Sequence, residues 1–418
     1  VRVLGVPNVA DRIAQTAAAM LLEEKLEPIF HPDSYGYRPG RSAHDALAAA
    51  RKRCWNQDWI VDLDIRAFFD SVAHDLLLKA VAHHTDERWI LLYIERWLKA
   101  PMQMPDGTVV AREKGTPQGS PISPLLANLF MHYAFDQWMV REHPGCPFER
   151  YADDIVVHCD TEGQARDLRT AIAERLGALG LELHPDKTKI VYCKDAKRRK
   201  DSEHTSFDFL GYTFRARRAS GRHGRFVSFL PAMSTTAKKA KGRQIRAWHL
   251  NRRSGTDLSG LAEGINPQVR GWINYYGAFY RSELYSLAMR INEHLVRWAM
   301  QKFKRLRNQP TKAWAWLDAV RHDSTNLACS PTGTCFRASA TDLWGPDEAR
   351  VSRPVLREPR GATPLGYLPE PHARFDGGEL DKEPLWQPMM AALGKPSDLS
   401  PAPPTAVTSP APYPTNLG

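Results

Sequence analysis

The sequence predicts an α+β fold, and three observations carry that prediction. Residues 148–159 read as strand, tight acidic turn and strand, with Tyr151-Ala152-Asp153-Asp154 held between the polar approach Phe148-Glu149-Arg150 and the apolar exit Ile155-Val156-Val157. Trp59 to Ile65 reads as a further strand that runs into a second acidic cluster at Asp62, Asp64 and Asp70. Around them lie stretches with the 3.6-residue period of amphipathic helices.

In chain order, Asp11 to Leu26 is expected to be helical, with Ile13, Ala17, Met20, Leu21 and Leu22 on one apolar face, and Ala43 to Arg53 forms a second helix. Helices over 72–84 and 87–99 follow the first strand. Met104-Pro105-Asp106-Gly107-Thr108 is a turn between two short extended pieces. Pro121 opens a long apolar helix to about Arg141, because its fixed φ suits a first turn. After the acidic hairpin, apolar residues at 165, 168, 172, 176 and 179 make a helical face that Gly180 closes. Lys194 to His204 is a charged insertion, expected to be a mobile loop between strands, and 267–307 is expected to hold two or three helices rich in aromatic and basic residues. Sixteen of the 31 prolines lie at or beyond Pro331, which predicts a low-complexity, disordered tail over 328–418.

At 418 residues the chain can bury a large core and hold two or three domains. No apolar run reaches the roughly 18 residues of a membrane span and the N-terminus lacks a signal-peptide pattern, so a cytoplasmic location with no membrane partner is expected. Six cysteines (54, 146, 159, 193, 329 and 335) without a C-x-x-C pair fit reduced thiols and argue against zinc. The net charge of +10 is unevenly spread: residues 187–307 hold 27 Lys and Arg against 8 Asp and Glu, whereas residues 1–186 hold 20 against 27. A basic block interleaved with Trp248, Trp272, Tyr275, Tyr276, Phe279, Tyr280, Trp298 and Phe303 suits a polyanion: cations meet phosphates, and rings stack on bases or pack between helices.

Adjacent aspartates repel each other and lose hydration in a fold, so Asp153 and Asp154 between two half-buried strands point to a cation, with Mg²⁺ the expected one. An isolated Asp-Asp turn is commonly structural, since Asp accepts local backbone bonds. A second carboxylate cluster supplies what a pair of metals needs, and the combination suggests nucleotidyl transfer. Asp62 and Asp64 share a strand face, so periodicity does not choose between them, and Asp70 is a further competitor.

The segments around the turn resemble bacterial group II intron-encoded reverse transcriptase/maturases, in the same order. They are Ser34-Tyr35-Gly36-Tyr37-Arg38-Pro39-Gly40-Arg41-Ser42, Asp64-Ile65-Arg66-Ala67-Phe68-Phe69-Asp70, Gly115-Thr116-Pro117-Gln118-Gly119-Ser120-Pro121, the Tyr151-Ala152-Asp153-Asp154 turn, Leu181 to Lys189, Phe207 to Tyr212, and Gly271-Trp272-Ile273-Asn274-Tyr275-Tyr276. The resemblance covers about residues 1–310. It implies a right-hand polymerase, with partial fingers over 1–58, an antiparallel-sheet palm flanked by helices over 59–228, and an α-helical thumb or maturase X domain over 229–327. Implied metal ligands are Asp64, Asp153 and Asp154 with the Ile65 carbonyl, for two Mg²⁺ ions that Mn²⁺ could replace. The same resemblance places Phe68, Phe69, Gln118, Gly119, Arg2, Arg12 and Lys187 at the incoming dNTP. One of the two phenylalanines, with Phe69 favoured, resembles the aromatic gate against a 2′-hydroxyl, and Lys187 resembles a proton donor to pyrophosphate. Tyr151 is expected at the primer terminus, and Arg270, Arg281, Arg290 and Arg297 at phosphates of template, primer or group II intron RNA. Plainer readings remain beside these: core packing for Phe68, a helix cap for Gln118, surface cations for Arg2 and Arg12, and a bundle core for Trp272, Tyr275 and Tyr276.

Val1 to Asn8 resembles the interior of the first finger motif and lacks a leading Met, so a preceding segment is expected in the whole protein. Nothing after residue 310 resembles the His-Asn-His endonuclease of the family, since Cys329 and Cys335 alone are insufficient. The expected activity is RNA-directed DNA synthesis on intron RNA together with help in splicing. The alternatives are a non-catalytic RNA-binding maturase and a reverse transcriptase of a retron or CRISPR-associated system. An RNA-dependent RNA polymerase would carry Gly-Asp-Asp and a polar residue at the gate, and the oligomeric state is not legible.

Overall fold

A computed structural model describes residues 5–104, 106–221 and 224–323. Arg2, Cys329, Cys335 and the proline-rich tail lie outside the described residues. A four-stranded antiparallel sheet forms the centre, in the order Phe148–Tyr151, Asp154–Cys159, Trp59–Asp64, Lys189–Tyr192. Along Trp59–Asp64, side-chain alternation sends Trp59, Val61 and Leu63 to one face. There they join a large core with helices Val9–Leu26, His74–Ala82, Arg88–Lys99, Ser123–Met131 and Glu162–Gly177. Ile60, Asp62 and Asp64 take the other face. Ile60 packs with Val156 and Val191 against helix Ala43–Asn56 and a second sheet, and the two carboxylates occupy the uncovered end.

Helix ends follow local chemistry. Ser42 and Asp45 form a reciprocal capping box at the start of Ala43–Asn56, and Asn8, Thr161, Ser234 and Asp257 each cap a first turn. The helix expected over 72–84 is His74–Ala82, and a separate short helix, Phe68–Ser71, precedes it with Val72 and Ala73 non-helical between them. The long helix from Ser123 to Glu142 contains a π turn at His132–Asp136. Arg175 holds that turn from outside by donating to the Tyr133 and Ala134 carbonyls at 3.1 Å each.

The second sheet has three antiparallel strands, Ser206–Phe209, Tyr212–Gly221 and Gly224–Met233. Leu210 and Gly211 link the first two with φ of 49° and 77°, the double left-handed pattern of a type I′ turn. The strand Gly224–Met233 runs through residue 228, and the helical region starts only after the Ser234 cap. Helices Thr235–Ala247, Leu258–Tyr276, Tyr285–Lys302 and Pro310–Asp323 enclose their own core around Trp272, Ile291, Leu295 and Trp298. Trp272 belongs to that bundle core, stacked on Trp248 at 5.6 Å. Tyr275 and Tyr276 instead reach back to the type I′ turn: the Tyr275 hydroxyl donates to the Leu210 carbonyl at 2.9 Å and the Tyr276 ring covers Gly211.

The 194–204 segment is the expected loop between two strands, and it is tied to the rest of the fold. It has no regular secondary structure, yet the Arg198 guanidinium donates to the Cys54 and Gln57 carbonyls at 2.9 Å each and to Asp195 at 2.6 Å. Lys200 pairs with Glu162 at 2.6 Å.

Candidate active site

The sheet register brings the two acidic motifs together. Asp64 and Asp154 are direct cross-strand partners, and Tyr151 pairs with Asp154 across the two-residue turn Ala152-Asp153. Directly opposed residues share a face, so Asp64 and Asp154 point to the same side. Ala152 has φ of 58° while Asp153 does not, the pattern of a type II′ turn with alanine where glycine is the unstrained residue.

A buried network holds this strained turn. Arg150, which the sequence presents as part of a polar approach, is fully buried. Its Nε and Nη2 donate to the two carboxylate oxygens of Asp136 at 2.7 and 2.6 Å, and Nη2 also donates to Ser34 Oγ at 2.8 Å. Its Nη1 donates to Asn128 Oδ1 at 2.9 Å and to the Ala152 carbonyl at 3.3 Å. Asn128 in turn donates to the Gly36 carbonyl at 2.7 Å. Gly36 lies so close beneath the turn that a Cβ there would stand 2.6 Å from the Ala152 nitrogen. Asp136 ends the π turn, so that helical irregularity sets the position of a residue bonded to the site. Neighbouring Glu149, also fully buried, is satisfied by Arg53 and His158 at 2.6 Å each.

Asp64 accepts from Lys187 Nζ at 3.1 Å, which places an ammonium at a candidate metal-bearing carboxylate. The His184 amide donates to the Asp64 carbonyl at 2.7 Å; alternation along the strand then turns the Ile65 carbonyl toward the Asp153–Asp154 side. Asp62 is half-buried on the same face, and its carboxyl is pushed up to about 8 by burial first and then by the Asp154 charge. Asp70 is exposed on the short helix, off the strand that carries Asp64. Asp153 is half-buried and Asp154 exposed. Among the described residues, no group of three or more His, Cys, Asp or Glu is drawn tightly enough to hold a metal ion. The donor chemistry nevertheless fits a hard divalent cation, since carboxylates and a carbonyl offer only oxygen and Lys187 marks a place where positive charge is accepted.

The glycine-rich loop docks on the same corner. The Gly115 amide donates to the Val72 carbonyl at 2.7 Å and Thr116 to the Phe69 carbonyl at 2.6 Å, and Gly115 has φ of 84° with no room for a Cβ against Asp70. Phe68 is 2% exposed in the core, whereas Phe69 is half-buried beside it at 5.3 Å. Gln118 is half-buried and its carbonyl accepts from Gly5, while Gly119 is exposed with φ of 103°. Arg12 is exposed on the first helix. Tyr151 is half-buried and 6.4 Å from Tyr37. Arg270, Arg281, Arg290 and Arg297 are all exposed on the downstream helical region, away from the acidic corner in sequence and packed on a different core. Arg297 pairs with Glu293 at 3.7 Å, and the Arg290 guanidinium lies against Gly242.

Sequence reasoning missed Arg150, Asp136, Asn128, Ser34 and Gly36 as supports. A charged residue in a strand next to the turn, and a glycine between two tyrosines, were the available signals.

The family model for reverse transcriptase (RNA-dependent DNA polymerase) matches residues 1–214, just over half of the chain. This chain belongs to the reverse transcriptase family. Residues 238–316 match the group II intron maturase-specific domain, so it is a reverse transcriptase/maturase of the group II intron type, and its α+β fold is that of a right-hand polymerase. Protein YkfC of Escherichia coli K12 is 31% identical over 268 residues, covering 55% of this chain and 67% of that protein. The group II intron-encoded protein LtrA of Lactococcus lactis is 34% identical over 131 residues, which are 31% of this chain and 22% of LtrA. Apo telomerase from Candida tropicalis superposes with a TM-score of 0.42 at 10% identity, over 75% of this chain and 58% of that one. No described helix is long and apolar enough to cross a membrane.

Proposed function

We propose that this chain is an RNA-directed DNA polymerase that copies group II intron RNA and assists its splicing by binding it. The observation that carries the reading is the cross-strand pairing of Asp64 with Asp154, with Asp153 in the turn beside them. These three carboxylates and the Ile65 carbonyl would hold two divalent cations, Mg²⁺ or Mn²⁺. Bound there, such cations lower the pKa of a primer 3′-hydroxyl and neutralise the leaving pyrophosphate.

The remaining roles belong to the chain itself. Phe69 offers a half-buried ring to pack against the incoming sugar, resting on the buried Phe68. Gln118 and Gly119 let the dNTP approach the backbone, and Arg12 stands on the finger side for its triphosphate. Lys187, bonded to Asp64 before substrate arrives, is placed to move its ammonium to the pyrophosphate as that charge develops. Tyr151 packs on the primer terminus, and Arg270, Arg281, Arg290 and Arg297 take phosphates of the template–primer duplex or of intron RNA. Fingers over 1–58, palm over 59–228 and thumb over 229–327 are part of this reading, with the palm-to-thumb change best set at Ser234.

Primer extension on an RNA template with Mg²⁺ tests the reading directly. Asp153→Ala is expected to reduce extension at least about a thousandfold while the fold is kept, a loss typical of a group acting at the transition state. Equal extension by the two proteins would sink the catalytic assignment. Extension by neither, with intron RNA still bound, would leave a maturase without polymerase activity.

A further inference from the structure

The catalytic hairpin carries a pair of thiols at the end opposite its acidic turn. Its register pairs Phe148 with Val157 and Glu149 with Val156. The His158 amide donates to the Pro147 carbonyl at 2.9 Å, so the ladder continues one step beyond the regular strands. One step further, the same register sets Cys146 opposite Cys159. Because the 147/158 pair is hydrogen-bonded, 146/159 falls on a non-hydrogen-bonded position, where Cα atoms approach to about 4.5 Å and side chains are closest. That separation lies within the disulfide window of about 4.4–6.8 Å. Both thiols are free and buried, Cys146 at 5% and Cys159 at 0% exposure. Cys146 is flanked by the exposed Pro144 and Gly145, so a small loop movement opens it to solvent.

We propose that Cys146 and Cys159 form an oxidisable dithiol that exchanges with glutathione-type disulfides and closes into a staple across the base of the catalytic hairpin. The surroundings assign the order of attack. Gln164 Nε2 donates to Cys146 Sγ at 3.2 Å. The Cys159 thiol donates to the same sulfur, which draws the Cys146 thiol below its ordinary range and pushes Cys159 up. Cys146 therefore attacks first as the thiolate. It forms a mixed disulfide and releases one glutathione thiolate, which takes up a proton. Cys159 then loses its proton and attacks Cys146 Sγ, expelling the second glutathione. Two protein thiols give up two electrons and two protons, and the small disulfide receives them as two thiols. Since the bond joins residues already in register, the acidic turn five residues away along each strand keeps its place.

The test equilibrates the folded 418-residue chain in glutathione buffers stepped from reduced to oxidised, quenches by alkylation and maps the peptides. The expected product is a 146–159 linkage. Cys54 and Cys193, buried beside each other elsewhere, remain alkylatable after unfolding, and Cys329 and Cys335 are followed by their own peptides. Cys159→Ser is expected to stop at a stable glutathione adduct on Cys146, and Cys146→Ser to give neither adduct nor linkage at Cys159. Closing this short loop should raise the thermal midpoint by about 5 °C, and primer extension should stay within about twofold because the register is unchanged. No 146–159 linkage at any glutathione ratio, or one that forms only in denaturant, overturns the proposal. Linkage together with a large loss of extension overturns the claim that the turn is unmoved.

Discussion

The acidic hairpin and the helical region after Ser234 use charge in opposite ways. In the hairpin, Arg150 is wholly buried and all its donors are spent on Asp136, Ser34, Asn128 and the Ala152 carbonyl. In the helices, Arg270, Arg281, Arg290 and Arg297 stand exposed over a core made of Trp272, Leu295 and Trp298. The difference teaches what each region must supply. Holding carboxylates at fixed positions requires directional bonds in low dielectric, where they are strong and costly to break. Holding a polyanion requires positive charge at the surface, where no single geometry matters.

Arg150→Met is the most severe way to break that contrast. It strands Asp136 as an unpaired buried charge, and removing one partner of such a pair costs about 3–5 kcal/mol. Urea denaturation should report that loss, and a residual folded fraction should have weakened extension because the Ala152 carbonyl has lost a donor. Arg150→Lys should rescue little, since one ammonium does not replace a bidentate guanidinium. If Arg150→Met proves as stable as wild type, the network is not what positions the turn.

Gly36→Ala strikes the same turn from beneath. The added methyl would meet the Ala152 nitrogen at 2.6 Å, and overpacking against backbone costs about 1–3 kcal/mol. The displacement falls on the acidic turn itself, so on the proposed function extension should drop by about tenfold or more, beyond what the lost stability explains. Single-turnover extension at a temperature where both proteins are fully folded separates the two effects.

These supports mark the limit of what the sequence disclosed. Asp153 and Asp154 stood out because clustered carboxylates between strand patterns need an explanation, Asp64 was preferred to Asp62 only through the family resemblance, and the strand and helix periods placed most elements. Arg150 read only as part of a polar approach to the turn, because a polar residue in a strand carries no sign of its burial. Its partner Asp136 depends on a π turn, and a one-residue shift inside a helix leaves the apolar periodicity almost unchanged. Gly36 and Ala152 meet where a bridge joins Ser34 to Arg150, residues more than a hundred apart in the chain. The contacts of the 194–204 segment were hidden for a related reason: nothing in its charge shows that Arg198 spends its donors on the end of the helix Ala43–Asn56.

Asp62→Asn sharpens the comparison through pH. The native carboxyl titrates near 8 against 3.8 for the ordinary value, because of burial and the Asp154 charge. Between those values the folded chain keeps a proton that the unfolded chain has released, so stability falls as pH rises through this window. Asparagine has no proton to lose. In EDTA, Asp62→Asn should therefore match wild type near pH 4 and become the more stable of the two by a margin that grows as pH rises toward 9. A constant difference across that range would remove Asp62 from the electrostatics of the site.

The smallest effect on the fold is expected in the thumb. Replacing Arg270, Arg281, Arg290 or Arg297 with Gln should each change stability by less than about 0.5 kcal/mol, because exposed cations contribute little to folding. Arg297 should lose a few tenths more than Arg281, since only Arg297 has the 3.7 Å pairing with Glu293 on its own helix. Binding should respond differently. Each phosphate contact removed should lower the slope of log affinity against log salt by about one, for every RNA sequence alike. A variant that weakens binding to one intron RNA with the slope unchanged would mean that the arginine reads RNA shape or bases. The thumb would then rely on geometry as the hairpin does.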